Sequence, residues 1–141
     1  MKSKLAIIVL IIPFLVSCSS YKKVQTDYGE VKVDKNDLAQ LSRFFVLNFH
    51  AYKGKEIGAL LVDINQNVIH QNFYQEPPFV ARCLVTTYPD NISIEVYTKK
   101  PFEVTFGDTL NRDLDRFKKE KLFGIKLLYK KQCIRWYEDL Q

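Results

Sequence analysis

The chain has 141 residues, 47% of them apolar and 26% charged, with a formal net charge of +5. That balance excludes a disordered or fibrous chain, and ten Phe with eight Tyr can fill a core without help from a cofactor. Only five Gly are present, and no GxSxG, P-loop or GxGxxG pattern occurs, so nucleophile-elbow and nucleotide-cradling chemistries lack their signatures.

Lys2 and Lys4 precede an apolar run from Leu5 to Val16, and the composition turns polar at Ser19-Ser20. This is the layout of a secretory signal peptide. With Pro13 inside it, the run is shorter than the ~20 residues a membrane-spanning helix needs. Residues Leu15-Val16-Ser17-Cys18 resemble the lipobox of bacterial lipoproteins, whose pattern is an aliphatic residue, a tolerant position, a small residue and Cys. The resemblance implies cleavage between Ser17 and Cys18, diacylglycerol on the Cys18 thiol and acylation of the new amine. Residues 1–17 are then the signal peptide, and the protein is anchored by lipid to the inner or outer membrane, outside the cytoplasm. Each buried CH₂ contributes ~0.8 kcal/mol, so several chains hold where one would not.

Residues 18–29 are polar and aperiodic and read as the lipidated Cys and a tether, with a single domain over 30–141. A short extended piece, Glu30 to Val33, leads into a helix capped by Asn36 or Asp37. Leu38, Leu41, Phe45 and Phe49 line one face, and Gly54 stops it. The apolar block Phe44-Phe45-Val46-Leu47 also fits a buried strand. Ile57 to Ile64 reads as a strand, Asn65-Gln66-Asn67 as a turn, and Val68 to Tyr74 as the returning strand. Gln75-Glu76-Pro77-Pro78 breaks the chain before a further strand, Phe79 to Tyr88. Pro89-Asp90-Asn91 has turn chemistry. Ile92, Ile94 and Val96 then alternate with polar residues, Lys99-Lys100-Pro101 turns the chain, and Phe102, Val104 and Phe106 alternate again. Asp108 can cap a helix whose stripe is Leu110, Leu114, Phe117 and Lys121. Ile125, Leu127 and Tyr129 form the last strand, continued raggedly through Cys133 to Tyr137. The expected fold is α+β: a single small domain with an antiparallel β-meander packed against an N-terminal helix and a basic amphipathic helix near the C-terminus. The alternative is an all-β sandwich with Phe44 to Tyr52 as a strand.

From Arg112 to Arg135 nine basic residues face three acidic ones. Arg112, Arg116, Lys118, Lys119, Lys130 and Lys131 are therefore candidate contacts for an anionic surface near the anchor. A solvated helix face gives the same pattern. With Cys18 assigned to lipid, Cys83 and Cys133 form an even pair in an oxidising compartment. A disulfide closing a loop of about fifty residues would stabilise by ~4 kcal/mol; two separate buried thiols are the alternative. His50 and His70 have no ligand partner at a metal spacing. Asp63-Ile64-Asn65-Gln66-Asn67 starts like a calcium loop but has Val68 and Tyr74 where Gly and Glu are required. No metal or cofactor is expected. Glu95 and Glu103, on adjacent predicted strands, are a weak candidate for an acid–base pair on what alternation makes the solvent face. Phe117, Phe123, Tyr129, Trp136 and Tyr137 interleave with basic residues, a pattern that can stack bases and hold phosphates. Export turns that pattern toward glycan or anionic lipid rather than nucleic acid, and alternation sends Tyr129 into the core. The function expected is a membrane-anchored, non-enzymatic binding or structural module. Its partner would be anionic lipid, cell-wall glycan or another envelope protein. A small-ligand carrier with an apolar pocket and a cell-wall hydrolase are the alternatives.

Overall fold

The computed structural model describes residues 20–76, 80–104 and 110–138. Cys18, the signal segment and the expected cap Asp108 lie outside these residues. Directly after Ser20 the chain enters strand β1 (Tyr21–Thr26), which pairs antiparallel with β2 (Gly29–Asp34). The stretch expected to be a tether is thus, in its described part, strand β1 and the turn into β2. Gly29, at φ +109, takes the left-handed turn position that a side chain would strain. Val31 and Val33 face inward and are buried.

Helix α1 (Lys35–Phe45) follows, burying Asp37, Leu41 and Phe44. The expected helix therefore exists but does not run on to Gly54. Phe49–Tyr52 forms a separate 3₁₀ turn. Arg135 separates the two pieces: its Nη1 donates to the carbonyls of Phe45 (3.1 Å) and Leu47 (3.0 Å), partners for carbonyls that a helix end leaves open. The strand expected at Ile57 to Ile64 is instead helix α2 (Ile57–Ile64). Its buried residues Ile57, Leu60, Leu61 and Ile64 fall at i, i+3, i+4 and i+7, one face of a helix.

The remaining strands form one antiparallel sheet in sequence order: β3 (His70–Glu76), β4 (Val80–Thr87), β5 (Ile92–Glu103), β6 (Leu122–Tyr129) and β7 (Gln132–Glu138). Helix α3 (Leu110–Phe117) lies in the connection from β5 to β6. The architecture is α+β. Asp90 and Asn91 both have positive φ, 66° and 58°, the geometry of a tight hairpin turn that Asp and Asn tolerate. Lys130 and Lys131 adopt the same geometry between β6 and β7.

Lys99-Lys100-Pro101 does not turn the chain; β5 continues through it. Ala81 pairs with Phe102 while Cys83 pairs with Tyr97, so the residues between bulge out of register. Pairing with β6 stops at Thr98. Pro101 therefore sits where no ladder N–H is required.

Helices and hairpin cover one face of the sheet. Ile92, Ile94 and Val96 of β5, Ile125, Leu127 and Tyr129 of β6, and Leu84 of β4 meet Leu41, Phe44, Leu60 and Ile64 there, all buried. Phe73, Phe102 and Phe117 form a ring cluster with centroids 5.1 to 5.4 Å apart. The Tyr88 hydroxyl, also buried, donates to the Ile64 carbonyl at 2.8 Å. Thr98 and Asp37 likewise find partners, as burial demands, whereas Gln40 Nε2 and Arg43 Nη2 of α1 are buried without one among the described residues.

Candidate functional site

The other face of the sheet carries no helix among the described residues, yet it is not simply solvated. Register shifts in β4, β5 and β6 add local twist and bend the strands. A groove of about 660 Å³ opens on this face, lined by Tyr74, Arg82, Cys83, Glu95, Tyr97, Lys99, Phe123, Lys126 and Trp136 among others. A second depression, about 730 Å³, shares Val85 and Glu95 with it and runs to Lys130 and Lys131.

Strand pairing assembles the centre of the groove. Glu95 stands directly opposite Lys126, and Lys126 opposite Trp136, so three neighbouring strands each contribute one residue. Lys126 Nζ lies 3.3 Å from Glu95 Oε2 and 3.3 Å from the Tyr97 hydroxyl. The same ammonium sits 5.4 Å from the Tyr97 ring centroid and 5.2 Å from that of Trp136, within cation–π range. Tyr97 donates to Glu95 Oε2 at 2.5 Å, and its ring meets Trp136 edge-on at 5.4 Å. Trp136 Nε1 donates to Glu138 at 3.3 Å. Gly124 explains why the indole can lie where it does: a Cβ there would come within 2.8 Å of the Trp136 ring.

Burial dominates the electrostatics. It raises the Tyr97 hydroxyl, and the Glu95 carboxylate beside it adds to that rise. Burial also pushes the Cys83 thiol up to about 12, again with Glu95 adding to it. A thiol so high is protonated at neutral pH and is a poor nucleophile. Glu95 is occupied by two donors, Tyr97 and Lys126. Arg82, Lys99 and Lys126 balance Glu76, Glu95 and Glu138 around the groove, so its charge is close to even. Such a site can hold a ligand that offers an apolar ring face and a rim of hydrogen-bonding groups.

The sequence-derived candidates distribute otherwise. Cys83 and Cys133 are free and stand on β4 and β7, with β5 and β6 between them. At ~4.8 Å per strand they are at least ~14 Å apart, and the register sets Cys133 five residues along β7 from Glu138, the residue in line with Cys83, beyond disulfide reach. The expected bridge is not present. Glu95 and Glu103 lie on the one strand β5 rather than on facing strands; their β4 partners Val85 and Val80 are five residues apart, ~17 Å by strand rise, and the two carboxylates do not form a pair. The basic residues split into two groups. Arg112, Arg116, Lys118 and Lys119 belong to α3 and its end, where Arg116 pairs with Asp113 at 3.5 Å and Lys118 with Asp115 at 3.2 Å. Lys130 and Lys131 occupy the far turn of β6, with Lys130 on Asp34 at 2.7 Å. Of the interleaved aromatics, Phe117, Tyr129 and Tyr137 are buried, while Phe123 and Trp136 line the groove.

Glu95, Tyr97 and Lys126 were missed as a unit. The available signal was the run Glu95-Val96-Tyr97, which puts an acid and an aromatic on the same face of a strand, but the partner at Lys126 depends on register. Among the described residues no cluster of three or more His, Cys, Asp or Glu side chains could hold a metal ion, and no helix is long and apolar enough to cross a membrane. Comparison with protein-family models, curated proteins and solved structures gives no match to this chain.

Proposed function

We propose that the protein is a lipid-anchored, non-enzymatic binding module of the cell envelope, held by acyl chains on Cys18, and that the groove on the open sheet face is its ligand site. The observation that carries this reading is the Glu95–Tyr97–Lys126–Trp136 cluster. A charged pair half-buried between aromatic rings sits on the face that alternation alone would leave to water. Its volume falls in the range of ligand sites, and its mixture of aromatic wall and a few fixed polar groups is what such sites use. The even charge disfavours a polyanion such as nucleic acid, whose binding rests on a clear excess of positive charge. A segment of cell-wall glycan has the matching chemistry, with apolar ring faces for Trp136 and Tyr97 and hydroxyls for Glu95 and Lys126. The position of the groove, on the open sheet face rather than between helices and sheet, supports a binding module over a carrier that encloses its ligand. The protonated Cys83 and the doubly occupied Glu95 support binding over hydrolysis.

The test is co-sedimentation with isolated peptidoglycan. The protein is expected to pellet with the glycan, Trp136→Ala to remain largely in the supernatant, and Lys118→Gln with Lys119→Gln to pellet as before. Circular dichroism confirms that the variants are folded. Loss of pelleting in the helix variant but not in Trp136→Ala would overturn the assignment.

A further inference from the structure

The fold also determines which end of the domain an anchor at Cys18 would hold against the membrane. This inference rests on the anchor proposed above. The carbonyl of Ser20 accepts from the backbone N–H of Lys35 at 2.9 Å, and Tyr21 pairs with Asp34. Asp34 in turn accepts from Lys130 Nζ at 2.7 Å, and its own N–H donates to the Tyr129 hydroxyl at 3.1 Å. The chain therefore reaches Ser20 beside the β6–β7 turn. Cys18 is two residues upstream, at most ~7 Å of extended chain. No spacer remains to let the domain turn away.

Lys22, Lys32, Lys35, Lys130 and Lys131 gather at this end, all exposed. Two acids face them: Asp34, engaged by Lys130, and Asp90, on the turn whose neighbour Asn91 accepts from the Lys130 N–H at 2.8 Å. Asp37 is buried and receives the Tyr129 hydroxyl at 2.7 Å. The basic residues of α3 lie at the opposite end of β6, ~23 Å away over its eight residues. That is more than two Debye lengths at physiological salt.

We infer that the Lys35/Lys130/Lys131 end of the domain docks onto the anionic headgroups of the anchoring membrane, and that α3 points away from it. Occupancy follows from the charge and from the short distance to the anchor, which confines the lysines to the headgroup layer. The groove, whose Phe123 and Lys99 lie toward the α3 end, then opens sideways and clear of the lipid.

The experiment uses the lipidated protein in phosphatidylcholine vesicles and in vesicles that also contain phosphatidylglycerol. Lysines are acylated briefly with an amine-reactive ester and mapped by mass spectrometry at low and high salt. On anionic vesicles at low salt, Lys35 and Lys131 are expected to label about fivefold less than on neutral ones, with recovery at high salt. Lys118 and Lys119 are expected to label equally throughout. Equal labelling of Lys35 and Lys131 on both vesicles, or protection at Lys118 and Lys119, overturns the orientation while leaving the anchor intact. Failure to float with neutral vesicles removes the anchor itself, and with it the orientation.

Discussion

The two thiols show how environment decides the behaviour of a side chain. Cys83 faces the groove but is buried, and its pKa near 12 keeps it protonated. Cys133 is half-buried, and burial raises it too, though the Tyr28 hydroxyl partly offsets the rise. Alkylation of the native protein near pH 8 should therefore modify Cys133 first and Cys83 slowly. Under denaturing, non-reducing conditions both should react, adding two alkyl groups by intact mass. An unmodified mass in denaturant would mean a disulfide and a different strand order. Nothing in the sequence distinguished the two arrangements, because an even cysteine count carries no distance. Glu95 makes the same point: its class, a carboxylate on an alternating strand, predicts solvent, and only the Lys126 opposite it makes a half-buried pair.

Elements were legible where one period dominates. Ile92, Ile94 and Val96 alternate cleanly, and Asp90-Asn91 supplies the turn chemistry that precedes them, so β5 starts where expected. The aliphatic run of α2 was misassigned because apolar residues at all positions fit either period, and its burial follows i, i+3, i+4 and i+7 only once packed. Pro101 looked like a break because a ladder position forbids proline, whereas a bulge does not. The link between β6 and the N-terminal elements was invisible in the sequence, since Tyr129 reaches Asp34 and Asp37 across more than ninety residues. That link should matter. Tyr129→Phe keeps the ring but leaves the buried Asp37 carboxylate without this donor, an expected loss of ~1–3 kcal/mol. The measurement is a lower urea midpoint with an unchanged m-value; a midpoint equal to the parent's would show that the tie contributes nothing.

At the scale of the whole molecule, several weak acids share one shift. Tyr52 is raised to about 12, chiefly by burial and then by Asp63, Cys83 to about 12, and Tyr88, Tyr97 and Tyr129 are raised as well, each mainly by burial. A folded pKa above the unfolded one means stability fully present below the unfolded value and lost as pH rises through the folded one. With ordinary values of 9.0 for Cys and 10.0 for Tyr, thermal stability should be level from neutral pH to about pH 9 and fall steadily toward pH 12. A melting temperature that stays level across that window would contradict the burial described for these groups. The central claim, that the open sheet face is the working face, has a built-in reporter, because Trp136 is the only tryptophan of the chain and lines the groove. Titration of the protein with soluble peptidoglycan fragments, followed by intrinsic fluorescence, should give a saturable change in intensity or emission maximum that Lys126→Gln weakens. Fragments that sediment with the protein while the Trp136 emission stays constant would place binding elsewhere and contradict the account.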